Sequence, residues 1–149
     1  MHKRATLLFT FFLAAVAYAQ APAAKPPSSE DALVANVADA KWAAPKVPEI
    51  PPGVMASPIA VDPNTGGPVA YAKFPPGFVF PTHWHSATEY TVLISGKASF
   101  TVAGKTHQLV PGSYLVVPPK TEHGVTCSQG ADCVLLTRRG GPTDYHFVR

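Results

Sequence analysis

The chain contains few charged residues and no concentration of positive charge. Asp, Glu, Lys and Arg make up 14% of its 149 residues. Of twelve Lys and Arg, Lys3 and Arg4 lie in a segment that we expect to be removed, which leaves ten against nine Asp and Glu and a net charge of about +1. No basic stripe remains, so nucleic acid and anionic membranes are not expected partners.

Several other features are absent. The sequence has no repeat, no long amphipathic helical pattern, no Gly-rich phosphate loop and no Ser-His-Asp arrangement. Its longest apolar run, residues 5–17, has thirteen residues, whereas a membrane-spanning helix needs about 20. These absences argue against a membrane anchor, a nucleotide site and a serine hydrolase.

The first residues are typical of a secretory signal. His2, Lys3 and Arg4 precede the apolar run, and Ala17-Tyr18-Ala19 forms an A-x-A cleavage site. We therefore expect a signal peptide over residues 1–19, a mature chain that begins near Gln20, and a secreted or periplasmic protein. No cysteine lies near the cleavage site, so a lipid anchor is not expected there.

The segment between the signal and the predicted domain is rich in Pro, Ala and Ser. Residues 20–44 are interpreted as a short disordered tether followed by an N-terminal arm. Residues 30–44 fit a short helix or an edge strand that ends at Trp42, with strand or coil preferred. Four prolines in residues 45–53 exclude regular structure there. The domain itself is predicted to span residues 45–149.

Cysteine is rare, with only Cys127 and Cys133, which flank a turn-rich stretch (CSQGADC). An exported protein meets oxidising conditions, so the two can pair. A hairpin through residues 128–132 would place the sulfurs opposite each other. The alternative is two free, buried thiols.

Seventeen prolines and eleven glycines divide the remaining sequence into short segments. From Val54 onward we count about nine short strands separated by turns. Gly96-Lys97 is typical of a hairpin, and Gly104-Lys105 marks another turn. The pattern predicts a single all-β domain, either a sandwich or a barrel.

Three metal-type ligands lie within residues 77–96 (GFVFPTHWHSATEYTVLISG). His83 and His85 are two apart and so share one face of a strand, and Glu89 shares their parity if the strand stays regular. The neighbouring residues are apolar, and unpaired polar groups there would be costly. Imidazole and carboxylate together suit Mn, Fe, Co, Ni or Zn, so the segment predicts a metal site.

This stretch resembles the cupin superfamily. The first motif of that family, G-x5-H-x-H-x3,4-E-x6-G, is matched in full from Gly77 to Gly96. The second motif, G-x5-P-x-G-x2-H-x3-N, is matched at Gly112, Pro118 and His123, but Lys120 replaces its middle glycine and Cys127 its asparagine. The resemblance covers residues 54–148.

The resemblance implies a cupin jelly-roll β-barrel in which His83, His85, Glu89 and His123 bind one divalent transition metal ion. It also implies a small organic ligand or substrate. Dioxygenase-like oxidation is the favoured reaction, and a non-catalytic, metal-loaded binding or sensing protein is the alternative. Cupins of this size often form homodimers, for which residues 45–61 and the C-terminal residues 143–149 offer edge strands.

The pocket is expected to be mostly apolar. We expect it to be lined by Phe78, Phe80, Leu93, Val125 and Leu135. Thr91, Ser95 and Tyr145 are the candidates for a general acid or base. Trp84 is expected to face away from the metal, His107 to be a solvated strand residue, and Glu122 to face solvent or the mouth of the pocket. His146 is expected to face either side.

Overall fold

The described part of the chain forms two five-stranded antiparallel sheets with almost no helix, which confirms the all-β prediction. The structure is a computed structural model that describes residues 32–149. A short 3-10 helix, Val37–Asp39, precedes the strands. The strands are β1 Met55–Val61, β2 Pro68–Phe74, β3 Val79–Trp84, β4 Glu89–Ser95, β5 Ala98–Val102, β6 Lys105–Leu109, β7 Tyr114–Val117, β8 His123–Cys127, β9 Cys133–Arg139 and β10 His146–Phe147. These ten strands compare with about nine expected.

The two sheets bury the core between them. The first has the order β1-β2-β9-β4-β7 and the second β10-β3-β8-β5-β6. Because side chains alternate along a strand, every second residue is buried throughout β8, from Glu89 to Leu93 in β4, and at Ala98 and Phe100 in β5. The innermost apolar side chains come from both sheets and include Leu93, Leu135, Phe80, Phe100 and Val125.

Prolines within strands lie where a missing N–H is tolerated. Pro58 lies at a register shift of β1, which is an edge strand, and Pro81 lies within the register shift of β3 between Phe80 and His83. Residues 45–53 form turns and irregular structure, as their prolines predict.

The turn at Gly104 is a hairpin, but the turn at Gly96 is not. Ala103 and Gly104 both have positive φ, as in a type I′ turn, between the paired residues Val102 and Lys105. The predicted hairpin at Gly96-Lys97 is wrong, because β4 and β5 belong to different sheets. At Gly96, which has φ +82°, a Cβ would lie 2.6 Å from the Asp132 carbonyl oxygen, so the chain changes sheets where only glycine fits.

The Cys127–Cys133 disulfide forms, although not within a hairpin. Cys127 ends β8 in the second sheet and Cys133 begins β9 in the first, with their Cα atoms 5.7 Å apart. The predicted pairing is confirmed, but the predicted hairpin is wrong, since residues 128–132 cross from one sheet to the other. The bond therefore ties the two sheets together.

The described part of the N-terminal arm packs on β1 and β2. Tyr71 donates a hydrogen bond to the carbonyl of Ala35 at 2.9 Å, its ring lies 6.5 Å from that of Trp42, and Ala43 bridges to Ala56. The sequence favours strand or coil over helix for residues 30–44, and the single bridge between Ala43 and Ala56 fits that preference. The signal peptide and most of the tether lie outside the described residues.

Candidate metal centre

The second sheet brings the three histidines together. His83 in β3 is the direct partner of His123 in β8, and their ring centroids are 4.3 Å apart. His85 follows immediately after β3, 4.7 Å from His83 between ring centroids. All three side chains are buried. The parity argument for His83 and His85 therefore holds.

Glu89 reaches the same point from the opposite sheet. The expectation that it would continue the strand of His83 and His85 is wrong, because β3 ends at Trp84 and Glu89 begins β4. Ser86 and its neighbours instead carry the chain from one sheet to the other. His83, His85, Glu89 and His123 each offer a ligand atom, and these atoms lie within 4.8 Å of one another.

Main-chain carbonyls orient all three imidazole rings. The Nδ1 atoms of His83 and His123 lie 2.8 Å and 2.9 Å from the carbonyl oxygens of Pro81 and Thr121. The Nδ1 of His85 bonds in the same way to the carbonyl of Asp144. Because a carbonyl only accepts, each Nδ1 must carry the proton, and each Nε2 presents a lone pair.

These lone pairs meet a carboxylate with no proton between them. The Glu89 Oε2 lies 3.1 Å from the His85 Nε2 and 3.4 Å from the His123 Nε2. Both nitrogens are buried without a hydrogen-bond partner. Several acceptors at such distances repel one another unless a cation lies among them. Bonds of about 2.1 Å to one ion would also keep ligand atoms about 3–4 Å apart, so the four residues fit a transition metal.

The protonation state of the histidines suits metal binding. Burial and the neighbouring His123 lower the pKa of His83 to about 3, and burial with the nearby Arg139 lowers the pKa of His85 to about 3. Burial also lowers the pKa of His123. All three rings are therefore neutral at neutral pH, which is the form that binds metals.

Arg139 is the main residue of the site that sequence reasoning missed. It is buried, lies directly opposite Glu89 across the β4–β9 pair, and contacts the Glu89 carboxylate through one guanidinium nitrogen. Its other terminal nitrogen donates to the Tyr145 hydroxyl at 3.4 Å. Burial lowers the pKa of Arg139 from its ordinary value of 12.5. The sequence did contain a signal for Arg139. This residue lies four residues after Leu135, a predicted pocket residue, and therefore on the same face of the strand.

Two of the three candidate acid-base residues lie at the site. Thr91 is fully buried and donates a 2.8 Å hydrogen bond to the Glu89 Oε1, so it holds that carboxylate in place. Tyr145 lines the cavity, and its ring centroid lies 4.9 Å from that of His85. Ser95, at the far end of β4, is not among the cavity-lining residues.

Two further residues position His85. The main-chain carbonyl of Asp144 bonds to His85, and its carboxylate accepts hydrogen bonds from the Ser86 N–H and from His146. Burial raises the pKa of Asp144, but these carboxylate hydrogen bonds outweigh burial and lower the pKa to about 2. The N–H of Lys120 donates to the His85 carbonyl at 2.8 Å. Lys120 has φ +58°, so the turn keeps a left-handed conformation where the family motif has glycine.

A cavity of about 490 Å³ extends from the cluster to β1 and β2. Phe80, Val125 and Leu135 line it as expected, whereas Phe78 and Leu93 do not. Leu93 packs in the core with no exposed surface, and Phe78 stacks on Phe74 outside the cavity wall. The wall towards β1 and β2 is almost entirely apolar, and it includes the small residues Ala56, Pro58, Ala60, Ala70 and Ala72 beside larger ones such as Phe74.

Trp84 and Glu122 lie away from the cluster as expected, whereas His107 is less exposed than expected. Trp84 stacks on His146, with ring centroids 3.8 Å apart, and the His146 side chain is exposed rather than directed at the cavity. Glu122 is exposed, and His107 is a half-buried residue of β6. None of them lines the cavity.

Comparison with known proteins identifies the family. A family model described as "Cupin domain" matches residues 70–137. A search of curated protein sequences finds no significant match. In the part of the chain that the structure describes, no helix is long and apolar enough to cross a membrane.

Many solved structures resemble the chain. KdgF from Halomonas sp. aligns with a TM-score of 0.58 and 21% identity over 70% of this chain and 90% of its own. The polyketide cyclase RemF from Streptomyces resistomycificus aligns with a TM-score of 0.63 and 17% identity over 78% of this chain and 84% of its own. A cupin-like protein from Thermotoga maritima aligns with a TM-score of 0.56 and 20% identity over 64% of this chain and 75% of its own. Identities this low show a shared fold. The family match shows that residues 70–137 belong to a cupin domain.

Proposed function

We propose that His83, His85, Glu89 and His123 bind one divalent transition metal ion, either Mn, Fe, Ni, Co or Zn, and that this protein is a small metalloenzyme acting on an organic molecule. The observation that carries the proposal is the meeting of unprotonated Nε2 atoms and a carboxylate in a buried site. Arg139 balances the charge of Glu89, but the Nε2 lone pairs that face this carboxylate have neither a donor nor a cation, which is costly in an apolar surrounding.

The bound ion would supply Lewis-acid or redox chemistry at the inner end of the cavity. The protein groups would do the rest. The apolar walls would exclude water, Thr91 would keep the Glu89 carboxylate oriented, and the Tyr145 hydroxyl stands where it could exchange a proton with a bound molecule.

Dioxygenase-like oxidation is the reaction that we favour. One of the structural neighbours is a polyketide cyclase, so a reaction without oxygen is the main competitor within the same proposal. A non-catalytic binder would use the same four ligands. A cavity closed by large side chains would favour the binder, and the open 490 Å³ cavity with small residues along one wall supports the enzyme instead.

We also propose that the protein is exported, with a signal peptide over residues 1–19, a tether and arm over residues 20–44, and a cupin domain over residues 45–149. The Cys127–Cys133 disulfide supports this, since such bonds persist in oxidising compartments. A homodimer stays a prediction; β1 and β10, which lie in the two segments expected to pair, are edge strands.

Elemental analysis tests the metal site. The mature chain from Gln20 onward is purified without a His-tag or chelator, and about one transition metal ion per chain is expected. His83→Ala with His85→Ala should abolish metal binding, while the matched variant His107→Ala should retain it, because His107 lies on β6 away from the cluster. Retained metal in the double variant would contradict the ligand assignment.

Turnover is tested on the metal-loaded protein. Oxygen consumption is measured with small phenols and diketones, and product analysis without oxygen covers cyclisation and elimination. Reproducible turnover that is lost in the double histidine variant supports the enzyme. Tight ligand binding without turnover would replace the enzyme with the binder.

A further inference from the structure

The cavity contains very little formal charge. Among the residues of 32–149 that line it, only Glu89 and Arg139 are charged, and the lining histidines, His83 and His123, are neutral. No lysine and no aspartate of this part of the chain lines it. Without metal, the two charges lie against each other and cancel. The electrostatics of the cavity therefore depend on what Glu89 binds.

Metal binding would change the partner of Glu89. A carboxylate that coordinates a divalent ion is no longer available in full to a neighbouring guanidinium. A divalent ion, Arg139 and Glu89 together sum to a net charge of about +2 at the buried end of an apolar cavity. Uncompensated buried charge is strongly unfavourable, so the loaded site would favour an anion.

Arg139 is placed to receive that anion. It lines the cavity beside Glu89, and the guanidinium nitrogen that now contacts this carboxylate has no other hydrogen-bond partner, so metal binding by Glu89 would release it. Its contact with the Tyr145 hydroxyl adds a second polar group on the same side of the cavity. A guanidinium presents parallel N–H donors that match the two oxygens of a carboxylate. A fixed arginine of this kind would be an expensive feature in a site for neutral hydrocarbons.

The rest of the cavity suits an apolar body. Its wall on the side of β1 and β2 is formed by alanine, proline and other apolar residues, and a volume of about 490 Å³ holds a small organic molecule. We infer that the substrate or ligand is an apolar organic acid, with its carboxylate on Arg139 beside the metal and its hydrocarbon part against β1 and β2. The inference rests on the proposed metal site and adds Arg139 as the residue that determines specificity.

Calorimetric binding of two matched probes tests this inference. 3-Phenylpropanoate and its neutral isostere 3-phenylpropanamide are titrated into the metal-loaded protein at neutral pH. We expect at least a tenfold preference for the carboxylate. In the metal-free protein the preference should shrink, because Glu89 then competes for Arg139. By linkage, the carboxylate should raise metal affinity by the same factor as metal raises carboxylate affinity.

Variants at Arg139 assign the preference to that residue. Arg139→Gln should bind the two probes about equally, while Arg139→Lys, which keeps the charge but not the fork, should retain part of the preference. Metal content is measured in every sample, and Arg139→Gln should keep its metal because Glu89 then pairs with the ion alone. An unchanged preference in folded, metal-loaded Arg139→Gln would overturn the role of Arg139.

The wild-type comparison decides the inference even if a variant does not fold. Equal binding of the two probes by metal-loaded wild-type protein overturns the inference and leaves the proposed metal site intact. A wild-type protein that takes up no metal overturns the proposed function instead, and the elemental analysis separates the two results.

Discussion

The hydrogen bond from Thr91 to Glu89 should control how tightly the site holds metal. Thr91 is fully buried and its hydroxyl donates to the Glu89 Oε1 at 2.8 Å, which leaves Oε2 directed at the histidines. Thr91→Val keeps the shape of the side chain and removes only the donor. The carboxylate can then rotate, and it loses a partner that no water can easily replace.

The size of the effect follows from the charge and burial of the acceptor. A hydrogen bond to a charged group contributes about 1.5–3 kcal/mol. Metal affinity changes only by the share of this free energy that keeps the carboxylate oriented towards the metal. Loss of a hydrogen-bond partner of a metal ligand typically weakens metal binding about 10- to 100-fold, or roughly 1.4–2.7 kcal/mol. The two ranges agree, so we expect the metal dissociation constant of Thr91→Val to rise within that window.

The assay is competition for metal against a chelator of known affinity. Thr91→Ser is the matched control, because it keeps the hydroxyl and loses only a methyl group, and its affinity should stay within a few-fold of wild type. Circular dichroism establishes that both variants are folded. An unchanged dissociation constant in folded Thr91→Val, or an equal loss in Thr91→Ser, would refute the reasoning.

Two further predictions concern stability. Since the pKa values of His83 and His85 lie at about 3, below the ordinary 6.5, the unfolded chain binds more protons between these values. The free energy of unfolding of the metal-free protein should therefore fall as the pH falls from about 6.5 towards 3, by up to about 1.4 kcal/mol per pH unit for each histidine. Urea unfolding at several pH values measures this, and an equally steep dependence in His83→Gln with His85→Gln would contradict it. Reduction of the Cys127–Cys133 disulfide, whose cysteines are six residues apart, should lower the free energy of unfolding by about 2 kcal/mol. Denaturant curves with and without reductant measure the loss, and two alkylatable thiols in non-reduced exported protein would exclude the bond.

The sequence alone was sufficient for the fold class and for most of the candidate site. Short alternating segments between prolines and glycines indicate an all-β domain, because these residues interrupt strands in ways that depend on local backbone chemistry. The spacing of His83 and His85 places both on one face for the same local reason. The cupin resemblance added His123, which no local pattern could connect to a residue forty positions earlier.

The tertiary structure decided which sheet each residue belongs to. Glu89 meets the histidines from the opposite sheet, and the turns at Gly96 and between the cysteines join the two sheets instead of forming hairpins. The local sequence of a turn does not distinguish a hairpin from a connection to the other sheet, because that choice depends on the burial of side chains that are distant in sequence. Arg139 became part of the site in this way, because only the β4–β9 pairing places its charge opposite Glu89 inside the cavity.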